Sequence, residues 1–258
     1  MSPIQDSNRV YAGVDFSAGK GAVTVALLTA RLDVRSLKRL TSEEAAEALA
    51  SCAEITAAVG GPLRPRRIEP AESVPAGPAP SKGKPKRARA ADAELARRGI
   101  SVRRVPPPDG ATPVWMRTAF RLAGDAAARG FLEGRAAPGS PRVLLETNPA
   151  ACAAVLLGRL PFGRNTLEGR IQRQLALLRE RVALPDPMDA LEELTAHHIL
   201  SGFLALDGIR RPDELDALLA AFTAWRAASA PDAAAWLGDD ADGWICLPKK
   251  ELLEKYTK

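Results

Sequence analysis

Apolar positions come in short blocks whose spacing alternates between the two-residue period of strands and the longer period of helices. Arg9 to Phe16 reads as a first strand and Ala22 to Ala30 as a second. Between them Ser17 to Gly21 carries two glycines and reads as a tight turn, so the pair forms a hairpin. Arg31 to Leu40 extends this as a third strand. Thr41 or Ser42 then caps a helix that runs to about Cys52, with Glu43 and Glu44 in the first turn, where the helix dipole favours acid. Ile55 to Val59 is a short buried strand ended by Gly60-Gly61-Pro62.

Beyond it the pattern predicts helices over 92–99 and 114–130, a buried strand over 142–146 and a helix over 149–157. Longer amphipathic helices follow over 167–182 and 188–206. A last helix is opened by Pro212-Asp213-Glu214 and runs to Ala227. Gly243 to Pro248 forms a terminal strand or edge segment. Mixed order of this kind calls for one α/β domain over residues 1–258. Its mixed central sheet has a hairpin edge and parallel strands flanked by helices.

Composition sharpens this picture in one place. The net charge of the 258 residues is +5 and the isoelectric point about 9.3. From Arg64 to Pro107 there are twelve Lys and Arg against four Asp and Glu, a local +8, which leaves about −3 for the rest. Within it, at about 64–90, the Pro-, Gly- and Ala-rich sequence has little to bury and is expected to form a mobile basic loop. Lys82, Lys84, Lys86, Arg87 and Arg89 are its candidate contacts to nucleic-acid phosphates, and such contacts make binding salt-dependent. A solubilising loop without a partner is the alternative. The three cysteines, Cys52, Cys152 and Cys246, lie too far apart for a disulfide framework or a zinc site. No apolar run approaches the roughly 18 residues that cross a bilayer, and the polar start at Met1 to Asn8 is no secretory signal. A cytoplasmic location without a membrane is the expectation, and the Ala, Arg and Pro content suggests a GC-rich bacterial genome.

Candidate chemistry rests on acids at the ends of apolar runs. Asp15 closes the first strand and Glu146 the strand before Thr147-Asn148-Pro149. In open α/β sheets ligands bind beyond such carboxyl ends, so the two acids are expected to converge there. A buried carboxylate needs compensation for its lost hydration, from a metal or from a turn or cap. Asp213 and Asp216, three apart, share one face of the last helix. The apolar neighbours of Asp216 turn that face toward the sheet; a solvated first turn is the alternative. Magnesium and manganese favour hard oxygen ligands of this kind, and metals clamped by carboxylates activate water on a phosphodiester. Other features carry less. His197 and His198 are adjacent and diverge on a helix. Gly19-Lys20-Gly21 lacks the spacing of a phosphate-binding P-loop. Trp115 is a stacking surface for a base or, more simply, a core residue.

Several segments together resemble one family. Ala12-Gly-Val-Asp-Phe-Ser17 with its hairpin, Ala91-Asp-Ala-Glu-Leu-Ala-Arg-Arg-Gly-Ile100 and Glu146-Thr-Asn-Pro-Ala150 are similar to the DUF429 family of predicted ribonuclease-H-like nucleases. So are the segment beginning Asp213-Glu-Leu-Asp216 and Gly243-Trp-Ile-Cys-Leu-Pro248. The Asp-x-x-Asp opening of the last helix is also similar to that of RuvC-type resolvases. The resemblance implies a ribonuclease-H-like fold and a nuclease using Mg2+ or Mn2+. It makes Asp15 and Asp216 metal ligands and Asp213 and Glu146 supporting acids, with Glu146 a substitute ligand. The substitute matters because the family pattern Asp-Ala-Pro-Leu reads Gly60-Gly61-Pro62-Leu63 here, one acid short. Two alternatives follow: a nucleic-acid or partner-binding module that has lost catalysis, and an actin-like or sugar-kinase-type ATP-binding protein. The latter predicts a second Asp-Gly-rich hairpin, and none is evident.

Overall fold

A computed structural model describes residues 8–17, 21–67, 88–108, 110–135, 140–192, 195–203 and 206–258. The expected hairpin forms from β1 (Val10–Asp15) and β2 (Ala22–Leu28), joined antiparallel to β3 (Val34–Thr41). The helix α1 (Ser42–Ala50) starts at a capping box in which Thr41 accepts from the Glu44 amide and Glu44 accepts from the Thr41 amide. The chain then returns through β4 (Ile55–Val59), which pairs parallel with β1.

Helices α2 (Ala90–Arg97) and α3 (Val114–Ala128) follow, then β5 (Leu132–Glu133) and β6 (Arg142–Thr147), and then α4 (Pro149–Leu157) and α5 (Leu167–Arg179). The long helix α8 (Pro212–Ser229) precedes a closing hairpin of β7 (Ala235–Asp239) and β8 (Gly243–Leu247). Among the described residues the sheet order is β3-β2-β1-β4-β6-β8-β7, with β5 beside β6. β4, β5 and β8 run parallel to their neighbours on the β1–β6 side, and both ends of the sheet are antiparallel hairpins. This is the mixed α/β sheet flanked by helices that the pattern predicts.

Two apolar cores lie on the two faces. One, against α4, α5 and α8, takes Tyr11, Leu145 and the Leu- and Ala-rich flank of α8. The other, against α1 and α3, takes Ala12, Val14, Val59 and Leu144. α8 lies directly on β1, and Gly13 permits it: a Cβ there would sit 1.9 Å from the Ala217 carbonyl oxygen. No side chain fits at that distance, so Gly13 sets how close the start of α8 comes to the end of β1.

Two expectations need correction, and two strands are additions. The single helix over 188–206 is instead α6 (Pro187–Glu192) and α7 (Ala196–Leu200). Thr195 accepts from the His198 amide, and a side chain that bonds its own backbone in this way starts a helix rather than continuing one. The strands β5 and β7 were not expected; β7 contains Gly238, at φ 124°, and its sequence Ala-Trp-Leu-Gly-Asp shows no apolar–polar alternation. Of the basic loop, Lys82, Lys84, Lys86 and Arg87 lie outside the described residues. Arg89 is described, and it does not face solvent: it is 2% exposed and ion-paired. Among the described residues no helix is long and apolar enough to cross a membrane.

Candidate functional site

Strand parity decides which acids meet. Side chains alternate along a strand, and residues in register on parallel neighbours share a face. Val14, Val59 and Glu146 are in register across β1, β4 and β6, so Glu146 lies on the face of Val14. Asp15, one residue on, points to the other face, toward α8. The expected convergence of Asp15 with Glu146 therefore does not occur. Glu146 instead accepts two bonds from the guanidinium of Arg89, at 2.5 and 3.0 Å, and one from the Leu63 amide at 3.2 Å. Arg89 also donates twice to Asp92, at 3.0 and 3.1 Å. Burial pushes the Glu146 carboxyl up, against the pull of Arg89.

Asp15 does lie close enough to the other two acids for their charges to interact. It and the start of α8 are brought together by the Gly13 contact, and Asp15, Asp213 and Asp216 are each less than a tenth exposed. Asp213 is held firmly: Thr24 donates to it at 2.7 Å, Arg39 at 2.9 Å and Arg211 at 3.2 Å. Burial alone would raise its pKa, but these donors hold the carboxyl well below the usual carboxylate range.

Asp15 and Asp216 are compensated less well. Asp15 accepts the Ser17 amide at 2.9 Å and the Ser17 hydroxyl, and burial still pushes it up. Asp216 pairs with Arg164 at 2.8 Å and lies 4.0 Å from the Arg173 Nε. Even so, burial pushes its pKa up to about 7; the Asp15 charge adds to that, while Arg164 pulls the other way. The close ion pair and the raised pKa disagree in sense. The raised direction prevails because one guanidinium contact does not replace the hydration of a carboxylate this deeply buried.

A cleft of about 500 Å3 opens beside these acids. Asp15, Ser17, Gly60 and Arg164 form its polar side, and Phe16 and Trp115 an aromatic one. Gly61 lets Trp115 lie close, since a Cβ there would come within 3.0 Å of the ring. Gly60 stands where an acid is expected. A Cβ at that position would meet the Pro149 ring at 3.0 Å and the Val14 carbonyl at 3.1 Å, so the site has little room for one.

Among the described residues, no group of three or more His, Cys, Asp or Glu side chains is placed to hold a metal. Two buried, under-compensated carboxylates nonetheless suit a hard divalent cation. Magnesium is commonly held by one or two carboxylates, the remaining positions being filled by water and substrate phosphate oxygens. Asp15 and Asp216 fit that pattern; Asp213 is taken up by its three donors, and Glu146 by Arg89. Arg164, which crosses from the Ser17 hydroxyl (2.8 Å) to Asp216, has no counterpart among the residues singled out in the sequence. No local pattern marks it, because it lies in the link between two helices and reaches the site only through the fold. His197 and His198 lie together on α7, with ring centroids 6.3 Å apart.

A family model described as "Protein of unknown function (DUF429)" matches residues 13–242. No curated protein and no solved structure matches the chain.

Proposed function

The chain belongs to the DUF429 family, and from that premise we propose that it is a divalent-metal-dependent phosphodiester hydrolase of ribonuclease-H-like fold acting on DNA or RNA. The observation that carries the reading is the pairing of Asp15, at the carboxyl end of an inner strand, with Asp216 on the first turns of α8, at the edge of an aromatic-walled cleft. The hairpin-edged mixed sheet supports the fold.

In this reading Asp15 and Asp216 would hold Mg2+ or Mn2+, which would supply Lewis-acid polarisation of the phosphodiester and a water of lowered pKa. The Ser17 amide and hydroxyl fix the orientation of Asp15. Asp213 is a positioning residue: through Thr24 and Arg39 it ties the start of α8 to β2 and β3, and so keeps Asp216 at its distance from Asp15. Trp115, half-buried against the core at the cleft wall, offers an apolar face on which a base stacks without regard to its identity. The positive charge of 64–107, including Lys82, Lys84, Lys86 and Arg87, adds salt-dependent attraction for the phosphate backbone.

A second reading, a binding module of the same fold without catalysis, is favoured by Gly60, which leaves the cleft one acid short. Labelled single-stranded, duplex and branched DNA and RNA separate the two when incubated with Mn2+ or EDTA. Metal-dependent cutting by wild type that is lost in Asp15→Asn supports the hydrolase. Salt-sensitive binding without cutting moves the conclusion to the binding module.

A further inference from the structure

The link between α4 and α5 is pinned at its backbone. Thr166 donates through its amide and its hydroxyl to the Gly163 carbonyl, both at 3.0 Å, and accepts from the Gly169 amide at 3.1 Å. Gly169 lies so close to Gly163 that a Cβ would come within 1.9 Å of the Gly163 oxygen. Arg173, 4% exposed, donates to the carbonyls of Phe162 and Gly169. Arg164 projects from this fixed link, yet a third of its side chain is exposed. It reaches Ser17 and Asp216 through one nitrogen, Nη2, and among the described residues its buried Nε has no hydrogen-bond partner. The anchor is rigid and the head is held by a single atom.

We propose that Arg164 is a resident counter-ion of the Asp15–Asp216 pair that gives way to a divalent cation and then takes a phosphate oxygen of the nucleic-acid substrate. This rests on the metal-dependent reading of the site. Asp216 pairs with Arg164 and lies 4.0 Å from the Arg173 Nε, and the Arg164 charge also acts on Asp15. A divalent cation on the same carboxylates puts like charges within a few ångströms of the Arg164 head, and its partial exposure gives it somewhere to go. A planar guanidinium using one of its donors on Asp216 has the geometry to engage a phosphate with two. The phosphate in turn restores the balance that the cation upset, so cation and nucleic acid bind cooperatively.

The test is Mn2+ binding by calorimetry at pH 8 to wild type, Arg164→Gln and Arg164→Lys, with and without a phosphorothioate oligonucleotide. Removing the competing charge tightens Mn2+ binding by Arg164→Gln roughly tenfold in the absence of oligonucleotide. Arg164→Lys, which keeps the charge, stays near wild type and so separates loss of charge from loss of fold. The oligonucleotide tightens Mn2+ binding to wild type and has a much smaller effect on Arg164→Gln. If wild type binds Mn2+ and Arg164→Gln binds it no more tightly, the counter-ion role is overturned while the metal-dependent reading stands. If none of the three binds Mn2+, both fall. If Arg164→Gln binds more tightly and wild type cuts no nucleic acid, the counter-ion role stands and the hydrolase reading falls.

Discussion

Two groups of buried acids sit on opposite faces of the same sheet, and their counter-charges differ. Glu146 and Asp92 share Arg89, which donates four hydrogen bonds to them and is 2% exposed. Asp15 and Asp216 share Arg164, which touches Asp216 through one nitrogen and is a third exposed. The first group is closed on itself: every strong donor has a carboxylate and no cation could enter without breaking the set. The second is open: burial raises Glu146 as it does Asp15 and Asp216, and Glu146 also lines a cleft, of about 230 Å3, but only Asp15 and Asp216 depend on a partly exposed guanidinium. Burial of an acid alone does not mark a functional site. The completeness of its compensation separates a structural acid from one kept ready for a ligand.

The largest expected effect breaks the closed group. Arg89→Met leaves Glu146 and Asp92 buried without their cation, and loss of one partner of such a set costs about 3–5 kcal/mol. Urea denaturation measures it; a loss below about 1 kcal/mol would show that the two groups do not differ in this way. Next, Gly13→Ala places a methyl group where the Ala217 carbonyl lies and forces α8 off β1, at about 1–3 kcal/mol of overpacking. It should also weaken Mn2+ binding by parting Asp216 from Asp15, and unchanged Mn2+ affinity in a folded variant would count against the pair as ligands.

The open group predicts a pH dependence of stability. Asp216 has a pKa of about 7 when folded against 3.8 as its ordinary value. Between those values the folded protein binds a proton that the unfolded chain does not, so this residue adds stability as pH falls through 7 and loses it as pH rises. Melting temperatures from pH 8 to pH 6 should rise in wild type by more than in Asp216→Asn; parallel curves would refute it. The smallest effect is at the aromatic wall. Trp115→Ala should weaken single-strand binding by about 1 kcal/mol, at the low end for stacking because the ring is half-buried against the core. Fluorescence anisotropy with a labelled oligonucleotide reads it.

How much of this was legible beforehand differs between the two groups. Asp15, Asp213 and Asp216 stand out in the sequence because each interrupts an apolar run beside a turn or helix start. Their meeting follows from a strand and a helix that each declare themselves locally. Glu146 stands out for the same reason, but its direction depends on the register of β6 against β4 and of β4 against β1, and no single strand's pattern carries that. Arg89 lies at the end of a basic stretch, and average composition over that stretch hid one side chain that turns inward to an acid on another strand. Arg164 was missed altogether, since an isolated arginine between two helices has no periodicity to betray what it faces. The fold was read in its hairpin, its parallel strands and the last helix. The short β5 and β7 were not, because pairing with β6 and β8, rather than local pattern, defines them.

The central claim is that Asp15 and Asp216, and not Glu146, form the cation site. It is tested most directly by titrating Mn2+ into wild type, Asp15→Asn and Glu146→Gln, each shown to be folded by circular dichroism. The account predicts that Asp15→Asn loses Mn2+ binding while Glu146→Gln, though less stable, keeps wild-type affinity. Retained binding in Asp15→Asn, or its loss in folded Glu146→Gln, would contradict it.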